Sequence, residues 1–159
     1  MTNTYIALST ITLATATSLV TFGSIPQTYR DLVLVVNGSF TAFSGLQMQV
    51  NADTGNNYFT LNVQNTASSS YTNTRWFVSP NGFQAAQPFT ATVQLMDYSA
   101  TDKHKSALVR LGTLEPSLPR VEASALRWGN TSAMTSFRIF GSDSTFAIGA
   151  TFSLYGIRS

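Results

Sequence analysis

The chain has 159 residues, nine Lys or Arg against seven Asp or Glu, a formal net charge of +2 and only 10% charged residues, where an ordinary soluble domain carries about 25%. It contains no cysteine, which excludes a disulfide framework, Cys-based zinc sites and thiol catalysis. Its basic residues are scattered rather than gathered on one face, as nucleic-acid binding would need, and its many Thr and eleven Phe argue against disorder and for strands.

The N-terminus "MTNTYIALSTITLATATSLVTF" has no basic start and no continuous apolar stretch, so it reads as mature structure without a targeting signal. No apolar run reaches membrane-spanning length. Apolar alternation predicts strands at 4–13 and 18–22, and Pro26 marks a connection. "DLVLVVNGSF" at 31–40 is apolar on both faces, the pattern of a central strand covered on both sides. Strands follow at 45–51 and 56–63, separated by Asp53-Thr54-Gly55. Residues 64–87 read as a long loop, with a Ser/Thr/Asn cluster at 65–74, one short strand near 75–78 and an "SPNG" turn at 79–82. "PFTATVQLMDY" alternates cleanly, with Phe89, Ala91, Val93 and Leu95 on one face, as in a sheet with one wet side. Further strands are expected at 105–112, 120–128, 135–141 and 149–157. The pattern contains no helix. Eight to ten short antiparallel strands across a single domain, residues 1–159, predict an all-β sandwich of jelly-roll type.

Asp53-Thr54-Gly55 is the tripeptide that carries the catalytic aspartate of pepsin-like proteases, whose chemistry needs two such aspartates sharing a proton. Its flanks, Val-Asn-Ala and Asn-Asn-Tyr, fit a hairpin turn better, with Gly55 at positive φ. Asn51, Asp53, Asn56 and Asn57 supply oxygen atoms for calcium but lack the closing bidentate Glu. His104, the single histidine, lies in Lys103-His104-Lys105, which reads as a solvated loop or strand start, and no Gly-x-Ser-x-Gly elbow accompanies it. A glycosidase pair would have to come from Asp31, Asp53, Asp97, Asp102, Glu115, Glu122 and Asp143. Glu122 lies between Val121 and Ala123, which predicts that it points to solvent. No cofactor and no metal site is expected. Trp76 and Trp128 are the candidate ligand or interface aromatics, with packing in a core or interface as the competing role.

Four stretches occur in one order: "SIPQTYRDLVLVV" at 24–36, "NADTGNNY" at 51–58, "NTSAMTSFRIF" at 130–140 and "TFSLYGI" at 151–157. Together they resemble small β-rich virion proteins of tailed bacteriophages, especially those of marine and cyanobacterial hosts. The usual turn of that group reads Asn-Gly-Asp-Thr-Gly, whereas Ala52 stands at its second position here. The resemblance implies a non-enzymatic jelly roll on the virion surface, the head exterior more than the tail, acting as a homotrimeric capsid decoration or cement protein. Its partners would be the major capsid protein or other virion proteins. The other reading is a tail-fibre or receptor-binding knob that recognises host-surface glycan. Neither implies nucleic-acid or membrane binding.

Overall fold

A computed structural model of the chain describes residues 4–65, 67–114 and 120–158. Glu115 lies outside the described residues. The strands are β1 (Tyr5–Thr12), β2 (Leu19–Phe22), β3 (Asp31–Gly38), β4 (Ser44–Val50), β5 (Tyr58–Gln64), β6 (Ala67–Asn73), β7 (Trp76–Phe83), β8 (Phe89–Met96), β9 (Lys105–Thr113), β10 (Arg120–Trp128), β11 (Phe137–Gly141) and β12 (Thr151–Ile157). They form an eight-stranded sheet in the order β1-β12-β3-β8-β9-β10-β5-β6 and a four-stranded sheet in the order β2-β11-β4-β7. The paired strands run antiparallel. The sheets enclose one apolar core, giving the expected jelly-roll-like β-sandwich.

Alternation decides which side chains enter that core. Phe89, Ala91, Val93 and Leu95 of β8 are buried, as are Leu32, Leu34 and Val36 of the neighbouring β3. One end of the sandwich is filled by aromatic rings: Phe40 stacks on Phe146 at 4.8 Å and on Phe89 at 5.5 Å, and Phe83 stacks on Phe89 at 4.3 Å. Such pairs add to the stabilisation from area burial.

The described residues hold twelve strands rather than eight to ten, and both differences lie in the predicted loop at 64–87. β6 escapes apolar patterning because it is the outer strand of the large sheet, held by its ladder with β5. The predicted "SPNG" turn lies inside β7. Pro80 is tolerated because β7 is an edge strand of the small sheet, and the register there is bulged, with Gly82 at φ 64.

Two charged residues also lie on the opposite side from that expected. Glu122 is buried, whereas Val121 is 72% exposed. Lys105 opens β9 fully buried, its Nζ donating to the carbonyls of Lys103 (2.8 Å) and Thr131 (3.1 Å), and burial pushes its pKa down. His104 beside it is exposed.

Glu122 belongs to a polar network between the sheets. It pairs with Arg120 at 2.8 Å. Its two carboxylate oxygens accept from Asn62 Nδ2 (3.2 Å) and Asn81 Nδ2 (3.4 Å). Asn62 also donates to Ser124 Oγ at 2.9 Å, and Arg120 donates to the carbonyls of Asn81 and Gly82. Arg120 Nε meets Glu122 Oε1 as a charge contact without hydrogen-bond geometry, and burial of the pair is tolerable because the other guanidinium nitrogens and both carboxylate oxygens find partners.

The hairpin at Asp53 differs from expectation in one respect. The positive φ values fall on Asn51 (49°) and Ala52 (55°), and Gly55 is not among the positive-φ glycines. Gly55 is held by space instead, since a Cβ there would sit 2.5 Å from Asn57 Nδ2 and 3.0 Å from Asp53 Oδ1. Left-handed backbone costs an alanine roughly 1 kcal/mol relative to glycine. Ala52 is exposed, so its methyl contributes little packing. Ala52→Gly is therefore expected to stabilise the chain by about 1 kcal/mol, read as a raised urea midpoint with an unchanged slope.

Candidate functional site

Asp53 anchors its loop rather than presenting a reactive carboxylate. Its Oδ1 accepts Gly55 N–H at 2.7 Å; its Oδ2 accepts Asn57 Nδ2 at 3.0 Å and Trp128 Nε1 at 2.7 Å. Burial alone would raise its pKa, but the hydrogen bonds from Trp128, Gly55, Asn57 and Asn130 together hold it below the ordinary value. N–H donors thus converge on this carboxylate, placing positive protons where a calcium ion would have to sit.

Trp76 and Trp128 are both buried within the chain, which corrects any reading of them as an exposed ligand platform. Tyr58 lies against both, edge-on to Trp76 at 5.7 Å and stacked on Trp128 at 6.5 Å. Its hydroxyl sits 3.1 Å from the carbonyls of Val50 and Asp53, and burial pushes its pKa up to about 12. The tripeptide and both tryptophans therefore form one structural unit.

The surface with chemistry to offer lies on the outer side of the small sheet. Antiparallel register places Thr21, Arg138 and Gln49 in one cross-strand row, and Leu19, Phe140, Gln47 and Phe77 in the next. Arg138 Nε donates to Gln49 Oε1 at 2.7 Å, and Gln49 Nε2 donates to the Thr74 carbonyl at 2.9 Å. Arg75, in the turn before β7, reaches Gln47 Oε1 at 3.4 Å. The two guanidinium carbons lie 5.9 Å (Arg75) and 5.8 Å (Arg138) from the centroid of the Phe140 ring, within cation–π range. Among the described residues neither arginine forms an ion pair. With Thr54 and Thr74 they line a depression of about 400 Å³.

Gln49 holds the Arg138 guanidinium by two donors, Gln47 touches that of Arg75 once, and the Phe140 ring lies within reach of both. Two positive forks beside an aromatic ring can take an anion carried on a partly apolar body, such as a carboxylate on a sugar ring. The sequence reading did not single out Arg75, Arg138, Phe140, Gln47 or Gln49. The signal was nonetheless present: Arg138-Ile139-Phe140 and Gln47-Met48-Gln49 put polar or half-exposed residues on one side of buried Ile139 and Met48.

No protein-family model matches the chain, and no curated protein matches it. Among solved structures it is similar to a double mutant of the alginate lyase Aly36B in complex with alginate trisaccharide, at 8% identity over 94% of this chain and 80% of that one, with a TM-score of 0.35. It is also similar to the marine PL-14 alginate lyase from Aplysia kurodai, at 12% identity over 84% and 70%, with a TM-score of 0.32. A second Aly36B double mutant, bound to alginate tetrasaccharide, matches at 8% identity over 94% and 79%, with a TM-score of 0.32. These likenesses concern strand layout and bring none of those proteins' residues into this chain. Where a non-enzymatic virion protein was the expectation, the solved structures found beside this chain are polysaccharide lyases. None of these comparisons supports the expected non-enzymatic phage decoration protein or receptor-binding knob, and that expectation is carried no further.

Proposed function

We propose that the chain binds an acidic polysaccharide, of polyuronate type, across the outer face of the small sheet. The observation that carries this reading is the pair of guanidiniums, Arg75 and Arg138, flanking Phe140 without a carboxylate partner among the described residues. Each fork can take a sugar carboxylate by paired N–H donors. The ring supports the C–H face of the intervening sugar, and Thr54 and Thr74 offer hydroxyls at the rim. Gln49 holds Arg138 in place before the ligand arrives, which lowers the ordering cost of binding.

Calorimetric titration with a defined oligo-uronate tests this. Arg138→Ala and Arg75→Ala are each expected to weaken binding by about tenfold to a hundredfold, the loss of a charged hydrogen-bonding group. The affinity should fall as salt rises through the screening range, and a neutral glucan of equal length should not bind. Unchanged affinity in the Arg75→Ala/Arg138→Ala double variant, or equal affinity for duplex DNA, would overturn the proposal.

A further inference from the structure

We infer that the outer face of the large sheet carries a binding trough for one small amphipathic anion, an unbranched aliphatic carboxylate. The trough lies on the other side of the sandwich from the basic face of the small sheet and does not depend on it. The polarity of two strands is inverted there. On β5 the inward residues are Tyr58, Thr60 and Asn62, while Phe59, Leu61 and Val63 face out at 37%, 51% and 47% exposure. On β10 Glu122 and Ser124 face in, while Val121, Ala123 and Ala125 face out. A sheet face meant for water has the opposite arrangement, and exposed apolar surface of this kind marks a binding site.

Register gives the trough its shape. One cross-strand row runs Arg110, Ala123, Val63, and the next runs Leu108, Ala125, Leu61. The alanines form a floor along β10, with Leu61 and Val63 as one wall and Leu108 and Arg110 as the other. The hollow between them measures about 510 Å³, within the range of small-molecule sites. The walls stand on strands two spacings apart, about 10 Å between backbones, which leaves room for one unbranched carbon chain over the alanine methyls. One end is closed in the following row, where Arg127 lies over Phe59 with its guanidinium carbon 4.1 Å from the ring centroid.

Arg110 selects the ligand's charge. It is exposed, and among the described residues it forms neither an ion pair nor a cation–π contact. These rows contain no carboxylate to neutralise it, and its guanidinium stays charged at any ordinary pH. Its fork can take one carboxylate by paired N–H donors, and Thr92, beside it in the same row, offers a hydroxyl to the same head group. Arg127 already covers Phe59, so the trough presents one free positive group above an apolar floor. That combination matches a single anionic head on an aliphatic body, with the head at Arg110 and the tail along β10 toward Phe59. A strip this narrow is smaller than a stable contact with another protein requires, and a polymer charged at every unit would meet one guanidinium and two apolar walls.

Calorimetric titration with decanoate below its micellar concentration tests the trough. One molecule is expected to bind per chain. Octanoate should bind about fifteenfold more weakly, about fourfold for each methylene removed, and uncharged decanol at least about tenfold more weakly. Arg110→Gln should cost decanoate affinity about tenfold or more. Ala125→Leu, or Ala123→Leu in the same floor, fills the trough and should abolish saturable binding; circular dichroism confirms that the variants fold. Arg75→Ala with Arg138→Ala should leave decanoate affinity unchanged, which separates this site from the one on the small sheet. The inference is overturned by a wild-type chain that takes up no decanoate, by equal affinity for decanol, or by binding that both floor variants leave intact. Loss of binding in the Arg75→Ala/Arg138→Ala variant would also overturn it, by placing the anion on the small sheet. So would attachment to anionic phospholipid vesicles through Arg110 without uptake of free decanoate, the result expected if a membrane surface covers this face.

Discussion

Replacing Glu122 by Ala is expected to destabilise the chain by about 3–5 kcal/mol, the cost of leaving a buried guanidinium without its counter-charge. Arg120 and Glu122 have side-chain exposures of 4% and 0%, so water cannot reach in to compensate. The loss extends to Asn62 and Asn81, whose amide donors would lose the carboxylate that accepts them. Urea denaturation followed by intrinsic fluorescence measures the effect. A discriminating partner experiment is Arg120→Met with Glu122→Leu, which removes both charges together. That pair is expected to cost far less than Glu122→Ala alone, because an apolar replacement leaves no unpaired charge. If Glu122→Ala alone changes stability by less than about 1 kcal/mol, the network is not held as described.

Trp128 carries the second large effect. Trp128→Ala removes a fully buried ring stacked on Tyr58 and is expected to cost about 3–5 kcal/mol. Trp128→Phe keeps most of the ring but deletes the Nε1–H bond to Asp53, and should cost about 1–2 kcal/mol after allowance for the partial exposure of that carboxylate. The pH dependence separates the two contributions. Asp53 has a folded-state pKa below its ordinary value, so its contribution is present above the unfolded carboxylate value, about 3.9. It is lost as pH falls through the lower folded value. The gap in melting temperature between wild type and Trp128→Phe should therefore be widest near neutrality and narrow as Asp53 protonates. The gap for Trp128→Ala should persist in acid, since packing does not titrate. A Trp128→Phe gap independent of pH would remove Asp53 from this role.

These two effects also mark where sequence reasoning succeeds and where it stops. The alternation in "PFTATVQLMDY" and the run "DLVLVV" identify β8 and β3 because one or both of their faces meet the core. Ser-rich β6 carries no apolar pattern, since this outer strand is held by its ladder with β5 and by one ring, Tyr71, packed edge-on to Phe77 of β7. The phase of β10 runs opposite to the expectation that its apolar residues point inward. Val121, Ala123 and Ala125 instead face outward, while Glu122 and Ser124 enter the core with partners from β5 and β7. Those partners are distant in sequence, with Asn62 and Glu122 separated by 60 positions. No local pattern reports such a contact.

The candidate site was illegible for a related reason. Arg75 and Arg138 meet at Phe140 only because β11 pairs with β4 and β4 with β7, bringing together the turn before one strand and the middle of another. Asp-Thr-Gly drew attention as local chemistry, and it proves to be a loop anchor whose acceptor oxygens serve Trp128, Gly55 and Asn57. Its one contribution to the proposed site is Thr54, at the rim of the depression.

The side chains of Arg75 and Arg138 carry the proposed binding. A nuclear magnetic resonance titration of the labelled chain with a short oligo-uronate observes their Nε–H signals individually. Both signals are expected to shift together and saturate at one ligand concentration, while a neutral oligosaccharide moves neither. Saturable shifts confined to other arginines, with Arg75 and Arg138 unmoved, would contradict it.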